Sequence, residues 1–149
     1  MGIANNRRNF LKSAAALGAG YWIATRGQAE ERKSPNERVA MASIGIGGKG
    51  TSDSNDAARH GDMVAICDAD EGRLNQAGEK RFPKAKRYTD FRKMLEEMGK
   101  SIDAVTVSTA DHTHAPAALM AMRMGKHCFC QKPLTRTIYE ARLMGQVAR

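Results

Sequence analysis

Short apolar runs alternate with longer amphipathic segments along most of this chain. The runs are typical of strands buried on both faces of a parallel sheet, and they predict strands at 39–46, 63–68, 86–88, 103–108 and 127–130. Helical spacing predicts helices at 48–60, 70–82, from Thr89 or Asp90, at 114–124, and from Thr135 to the end of the chain. This alternation favours an α/β, doubly wound parallel sheet with strand order 3-2-1-4-5, which binds ligands at the carboxyl ends of its strands.

The first 37 residues lack this alternation. Arg7-Arg8 precedes a weakly apolar segment, 13–24, that is too short to anchor a protein stably in a bilayer. This order resembles a twin-arginine signal, with Asn6 where Ser or Thr is usual, and it predicts a signal peptide over 1–29 and a linker over 30–37. The alternative is a basic amphipathic helix, but the apolar segment carries no charge. We therefore expect export by the twin-arginine machinery, to the periplasm or otherwise out of the cytoplasm.

Composition and charge exclude two classes of partner. A chain of 149 residues with 42% apolar and 27% charged residues suits one globular domain. The formal charge of +8 is unevenly distributed, because residues 1–29 hold four basic residues and no acidic one. No segment interleaves basic with aromatic residues, and no apolar run reaches eighteen residues. We expect neither a nucleic-acid partner nor stable insertion into a membrane.

A glycine motif of the form G-x-G-x-x-G follows the first predicted strand and opens the first predicted helix. Its first glycine permits a tight turn, its second lets backbone approach a diphosphate, and its third brings the helix close to the strand. The start of the helix offers unpaired amides and a partial positive charge to phosphates. The motif predicts dinucleotide binding of the Rossmann type rather than a purely structural turn, through Gly45, Ile46, Gly47, Gly48, Lys49 and Gly50.

Asp68 ends the second predicted strand, 18 residues after the last glycine of the motif. A carboxylate at this place accepts hydrogen bonds from the adenosine ribose and repels a 2′-phosphate, so the sequence favours NAD over NADP. The alternative role for Asp68 is to cap the next helix. Arg73 lies close enough in the sequence to meet a 2′-phosphate, which leaves the choice of cofactor open.

Three later segments carry a family resemblance: 108–114 (STADHTH), 125–127 (GKH) and 131–134 (QKPL). Together with the glycine motif, they resemble the nucleotide-binding half of the Gfo/Idh/MocA oxidoreductase family over residues 38–149. The resemblance implies that the loop after the fourth strand borders the nicotinamide end of the cofactor, through Ser108, Thr109, Asp111 and His114. It also implies that Lys132 is catalytic and that its bond to Pro133 is often cis.

Lys132 also has a role that follows from its place in the chain. It leaves a strand at the ligand-binding edge, and a residue before proline is held extended, so its ammonium can polarise a substrate oxygen or move a proton. The alternative is a solvated surface lysine. Gln131 stands where the family usually has Glu, and its amide can still bind a ribose hydroxyl without adding charge.

We expect no metal site. His112 and His114 have no ligand partner at a suitable spacing beyond Asp111, and Cys67, Cys128 and Cys130 do not have zinc-site spacing. The cysteines are expected to be free thiols that pack in the interior.

The resemblance implies a function for the whole protein. It implies an oxidoreductase that moves a hydride between a nicotinamide cofactor and a sugar, polyol or related substrate. It further implies a second domain beyond Arg149 that forms the substrate pocket and mediates oligomerisation, so we expect a truncated chain that is inactive alone. The alternatives are an NAD-dependent glycosidase of the same family and a non-catalytic nucleotide-binding protein.

Overall fold

Five parallel strands form a single sheet in the order β3-β2-β1-β4-β5. The computed structural model describes residues 38–149, and the predicted signal peptide and linker lie outside these residues. The strands are β1 (Val39–Ile44), β2 (Gly61–Cys67), β3 (Lys86–Tyr88), β4 (Ala104–Val107) and β5 (His127–Cys130). The helices are α1 (Lys49–His60), α2 (Glu71–Lys80), α3 (Phe91–Met98), α4 (Asp111–Arg123) and α5 (Ile138–Val147). The predicted doubly wound α/β fold and its strand order are confirmed.

Apolar side chains cover both faces of the sheet. Along β2, Ala65 and Cys67 belong to one core and Ile66 to the other, because successive side chains of a strand point to opposite faces. The larger core contains residues of α3, α4 and α5, such as Leu95, Ala118 and Met144. The smaller core packs α2 against the opposite face through Leu74, Ala77 and neighbouring residues. Both faces of the sheet are therefore buried, as a parallel sheet requires.

The register of the sheet places the carboxyl ends of its strands in one row. Ile44 pairs with Cys67 of β2 and with Val107 of β4, while Tyr88 pairs with Cys67 and Cys130 with Val107. The ladder continues for one more residue, because Asp68, Gly45, Ser108 and Gln131 each donate a backbone hydrogen bond to the neighbouring strand end, at 2.8–3.1 Å. Four segments that the sequence singled out thus begin side by side at one edge of the sheet.

Several element boundaries differ from the sequence prediction. β1 ends at Ile44, before the glycine motif, and β2 begins at Gly61. α4 begins at Asp111 rather than 114, because an acidic residue in the first turn suits the positive end of the helix. α5 begins at Ile138 rather than 135 and ends at Val147. Its start is fixed by a capping box in which Thr137 and Glu140 accept each other's backbone N–H groups.

The start of α1 lies very close to the turn that follows β1. A Cβ atom added to Gly50 would overlap the carbonyl oxygen of Gly45 and lie 3.3 Å from Cβ of Ser108. Because the obstacle is mainly backbone, a larger residue at position 50 can be accommodated only by moving the helix away from the sheet.

Gly50→Ala should lower the free energy of unfolding by about 2–3 kcal/mol, because overpacking forces backbone to shift. The matched control is Gly145→Ala in α5, where an added Cβ meets nothing within 4 Å. That control should raise the free energy of unfolding by about 0.5–1 kcal/mol, since alanine is the better helix former. Urea denaturation of both variants measures the difference, and equal stabilities would contradict the close approach.

Candidate functional site

The glycine motif forms a turn between β1 and α1. Gly45 and Gly48 have φ values of +80° and +53°, a region that residues with a Cβ rarely occupy. No side chain caps α1, and within the described residues the amides of Gly47, Gly48 and Lys49 donate to no protein acceptor. Three unpaired N–H groups at the positive end of a helix are suited to bind a diphosphate.

A groove of about 500 Å³ extends from this turn along the carboxyl edge of the sheet. Its lining includes the glycine turn, the end of β2, and the segment from β4 into α4, where His112 and Thr113 contribute. The groove therefore joins the unpaired amides to the loop that was predicted to border the nicotinamide. The glycine turn and the donor groups of the groove suit a dinucleotide.

Asp68 stabilises the glycine turn from the end of β2. Its carboxylate accepts hydrogen bonds from the backbone N–H groups of Ile46 and Asp70, both at 3.0 Å. The capping role belongs to Asp70, which accepts from the N–H of Arg73 at the start of α2. Asp68 also lines the groove.

Two arginines, one from α2 and one that follows it, pack against the glycine turn. Arg81 donates to the carbonyl oxygens of Ile46 and Thr51, at 3.0 and 3.2 Å. Arg73 lies over Gly47, where an added Cβ would be 2.8 Å from its Cδ, and also pairs with Asp70 at 3.4 Å. Sequence reasoning missed Arg81, because its hydrogen-bond partners lie 26 to 35 residues away in the chain.

A buried carboxylate, Asp53, joins α1 to the ends of two strands. Its side chain is 7% exposed, and it accepts hydrogen bonds from Lys49 Nζ at 2.7 Å, Ser108 Oγ at 2.7 Å and Gln131 Nε2 at 2.9 Å. Burial alone would raise the pKa of Asp53, but hydrogen bonds from Lys49, Gln131 and Ser108 outweigh it and hold the pKa below its ordinary value of 3.8. The site thus contains an ionised, buried carboxylate.

Asp53 was not predicted from the sequence, although a signal was present. It lies three residues after Gly50, so both residues are on the face of α1 that is turned toward the sheet. An acidic residue on a buried helix face needs partners, and Lys49 and Ser108 are among them. These two residues were predicted to bind the cofactor, but the structure directs their side chains toward Asp53.

The segment after β5 contains the predicted catalytic lysine. Gln131 extends the ladder with β4, and its Oε1 accepts a hydrogen bond from the backbone N–H of Lys132 at 2.8 Å. The bond between Lys132 and Pro133 is cis, and the side chain of Lys132 is exposed. The backbone of Lys132 therefore lies at the carboxyl edge of the sheet, as its place in the chain predicted.

His114 connects this segment to the loop after β4. Its ring is 1% exposed, with Nδ1 2.7 Å from the carbonyl oxygen of Pro133 and Nε2 3.0 Å from that of Thr109. Because carbonyl groups only accept, the ring N–H of His114 donates to one of these two oxygens. His114 is therefore a cross-link between two loops, and its ring does not face the groove as a cofactor ligand.

The remaining predicted residues have different surroundings. Thr109 lines the groove, and its hydroxyl donates to the carbonyl of Ala110 at 3.2 Å. Asp111 is exposed at the first turn of α4 and is not part of the groove lining. The neighbouring residue, His112, lines the groove instead.

The cysteines are free thiols that pack in or near the core. Burial, with the charges of Asp68 and Asp90, raises the pKa of Cys67 to about 12, and burial raises the pKa values of Cys128 and Cys130 to about 11. Over residues 38–149, His, Cys, Asp and Glu form no cluster of three that could bind a metal ion. None of the helices in this part of the chain has the length and apolar character needed to cross a membrane.

The glycine turn, the strand-end carboxylate and the groove define a dinucleotide-binding domain. Residues 37–149 match the Gfo/Idh/MocA family, described as an oxidoreductase family with an NAD-binding Rossmann fold, and the chain belongs to it. The resemblance that the sequence motifs carried is thereby confirmed for this domain.

Relatives of known name differ in activity. Inositol 2-dehydrogenase of Salmonella typhimurium is 33% identical over 76 residues, which cover 51% of this chain and 22% of that protein. A glycosyl hydrolase family 109 protein of Solibacter usitatus is 31% identical, over 91% of this chain and 34% of its own length. The crystal structure of myo-inositol 2-dehydrogenase from Lactobacillus plantarum superposes with a TM-score of 0.67 at 25% identity, covering 75% of this chain and 33% of that one. The chain thus spans about a third or less of these relatives.

Asp53→Asn should lower the free energy of unfolding at neutral pH by about 1–2 kcal/mol, because it removes a charge that accepts three hydrogen bonds. The pKa of Asp53 is lower in the folded protein than its ordinary value of 3.8. The contribution of ionised Asp53 to stability is therefore fully present above pH 3.8, and it is lost as the pH falls through the lower pKa of the folded protein. Thermal unfolding of both proteins from about pH 7 to about pH 3 should therefore show a difference that shrinks in acid.

The control for this experiment is Asp56→Asn, which changes an exposed carboxylate of the same helix that pairs with Arg59 at 3.2 Å. Because exposed pairs contribute little, this variant should unfold within about 0.5 kcal/mol of the natural protein. A difference for Asp53→Asn that did not change with pH would contradict the role of an ionised Asp53.

Proposed function

We propose that this chain is the NAD-binding part of an exported oxidoreductase that transfers a hydride between nicotinamide and a sugar or polyol. The observation that carries the proposal is the row of strand ends, which aligns Asp68, Gly45, Ser108 and Gln131 at one edge of the sheet. This row has the unpaired amides of the glycine turn near its middle and Lys132 at one end. A dinucleotide along the groove would extend from the unpaired amides of the glycine turn toward Lys132.

The residues of this chain have separable tasks in such a reaction. The amides of Gly47, Gly48 and Lys49 would bind the diphosphate, and Asp68 would accept from the adenosine ribose. The nicotinamide, when bound, supplies the carbon that accepts or donates the hydride. The groove walls from Ser108 to Thr113 would orient it at the edge of the sheet.

Lys132 is the group that would act on the substrate. Its ammonium is exposed at the ligand-binding edge, on a segment held by the ladder bond of Gln131 and by the contact of His114 with Pro133. From there Nζ would polarise the reacting oxygen of the substrate, or carry its proton while hydride moves. A fixed backbone with a free side chain suits this task, because the position of the Lys132 backbone is set while its ammonium can still move to the substrate.

A sugar-like substrate is supported by the relatives, whose names include inositol 2-dehydrogenase. An NAD-dependent glycosidase is the second candidate, because the similarity to the family 109 glycosyl hydrolase covers 91% of this chain, against 51% for the inositol dehydrogenase. The two differ in outcome: a dehydrogenase changes the redox state of NAD, whereas the glycosidase would leave it unchanged after each turnover.

Three parts of the proposal rest on the sequence. The twin-arginine pattern at 1–29 supports export. Because that route carries folded proteins, it would deliver a domain that already holds its cofactor. Residues 30–37 would be the linker and residues 38–149 the nucleotide-binding domain. A second domain, from chain beyond these residues, would complete the substrate pocket and mediate oligomerisation.

Asp68→Asn should weaken NAD binding about three- to tenfold and weaken NADP binding less, or not at all. The asparagine oxygen can still accept from Ile46, but the variant lacks the charge that binds the ribose and repels a 2′-phosphate. Calorimetry with both dinucleotides measures the preference. Asp62→Asn is the control, because this exposed carboxylate pairs with Arg38 at the opposite edge of the sheet. A natural protein that binds neither dinucleotide would overturn the proposed function.

Lys132→Ala in the natural full-length protein should lower kcat about 10²- to 10⁴-fold and change the Kd for NAD less than about threefold, since the lysine acts on the substrate. Lys100→Ala is the control, because Lys100 is exposed in the turn before β4, at the other edge of the sheet. The assay follows NADH formation from polyols and sugars beside the cleavage of glycosides. Accumulation of NADH identifies the dehydrogenase, while cleavage without it identifies the glycosidase.

A further inference from the structure

Gln131 makes two side-chain hydrogen bonds that use opposite ends of its amide. Nε2 donates to Asp53 Oδ2 at 2.9 Å, and Oε1 accepts from the backbone N–H of Lys132 at 2.8 Å. A carboxylate oxygen can only accept and a backbone N–H can only donate, so the orientation of the amide is fixed by its partners. The side chain that was predicted to bind a ribose hydroxyl is thus occupied within the protein.

The carboxylate that Gln131 contacts is held in place from three elements. Lys49 of α1, Ser108 at the end of β4 and Gln131 at the end of β5 face its two oxygens, and Lys49 is the charged group among them. Since Asp53 is 7% exposed, it has little freedom to turn toward water when one of these partners is lost. The position of Gln131 is therefore determined by α1, the helix whose start binds the diphosphate in the proposed function.

A carboxylate at position 131 would be incompatible with this arrangement at neutral pH. Its oxygen would lie where Nε2 now lies, 2.9 Å from an oxygen of Asp53, and two ionised carboxylates at that distance repel each other. The amide at position 131 provides both the donor for Asp53 and the acceptor for the N–H of Lys132, whereas an ionised carboxylate there would provide no donor. The family resemblance led us to expect Glu at position 131. The carboxylate of Asp53 explains why Gln stands there instead.

We propose that Asp53 is a positioning residue for Lys132, and that it acts through Gln131, whose amide is required because position 53 carries a carboxylate. Asp53 thereby connects the diphosphate-binding end of the site, through Lys49 and α1, to the segment that presents the lysine. The role of Lys132 in this inference rests on the proposed function. The hydrogen-bonded connection itself can be tested without it.

The test is a double-mutant cycle on the full chain with Asp53→Asn, Gln131→Glu and the double variant D53N/Q131E. Gln131→Glu should weaken NAD binding about tenfold and lower the melting temperature at about pH 8, where both carboxylates are ionised. Both losses should diminish toward about pH 5, because one shared proton relieves the repulsion. D53N/Q131E should recover most of both losses, since the new amide at position 53 can donate to the new carboxylate at position 131, and its binding should not change with pH.

A spectroscopic measurement reports on the lysine directly. The ¹⁵N–¹H resonance of the Lys132 backbone amide should shift in Gln131→Glu at high pH and return toward its natural position in acid. The midpoint of that return should equal the midpoint for NAD affinity. In D53N/Q131E the resonance should remain near its natural position at every pH. Gln146→Glu, an exposed substitution on α5, is the matched control and should change neither binding nor this resonance.

The outcomes separate this inference from the proposed function. A Gln131→Glu protein that binds NAD and unfolds like the natural one at every pH would overturn the positioning role. Losses that simply add in D53N/Q131E would also overturn it, because they would mean that Gln131 acts independently of Asp53. A natural chain that binds no NAD, but whose variants show the predicted pattern of melting temperatures and resonances, would support the connection and reject the proposed function.

Discussion

The parallel register of the sheet is the constraint on which the candidate site depends. Ile44 pairs with strand ends on both sides, so the segments that leave β1, β2, β4 and β5 start in one row. Each segment then supplies a different kind of group: unpaired amides, a carboxylate, a groove wall and a lysine. Residues from distant parts of the chain become neighbours because hydrogen bonding between strands fixes where each one ends.

The turn after β1 is stabilised from several directions, although it has little side-chain mass of its own. Asp68 accepts from the N–H of Ile46, while Arg81 donates to the carbonyl oxygen of the same residue. Gly50 lets α1 approach closely enough for Asp53 to contact the ends of β4 and β5. These contacts leave the amides at the start of α1 unpaired, and that combination of a fixed backbone with free donors is what an anion site requires.

Charge within the site is arranged in pairs rather than as a general positive surface. Lys49, which follows the glycines, pairs with Asp53, so the backbone amides of the turn are the donors left free to bind an anion. Lys132 has no such partner among its described contacts, and its ammonium extends into solvent at the same edge. The molecule thus separates binding groups, which are held by other residues, from the one group proposed to act on a substrate.

The sequence by itself determined the fold, the strand order, the glycine turn and the places of Asp68 and Lys132, because each depends on local periodicity or on a motif of a few adjacent residues. It did not reveal Asp53 or Arg81, whose partners lie in distant segments, and it assigned Lys49, Ser108, Gln131 and His114 to the cofactor. Only the tertiary structure showed that these four side chains contact other parts of the protein. Sequence spacing specifies which residues reach the edge of the sheet, whereas packing between elements decides which way each side chain turns.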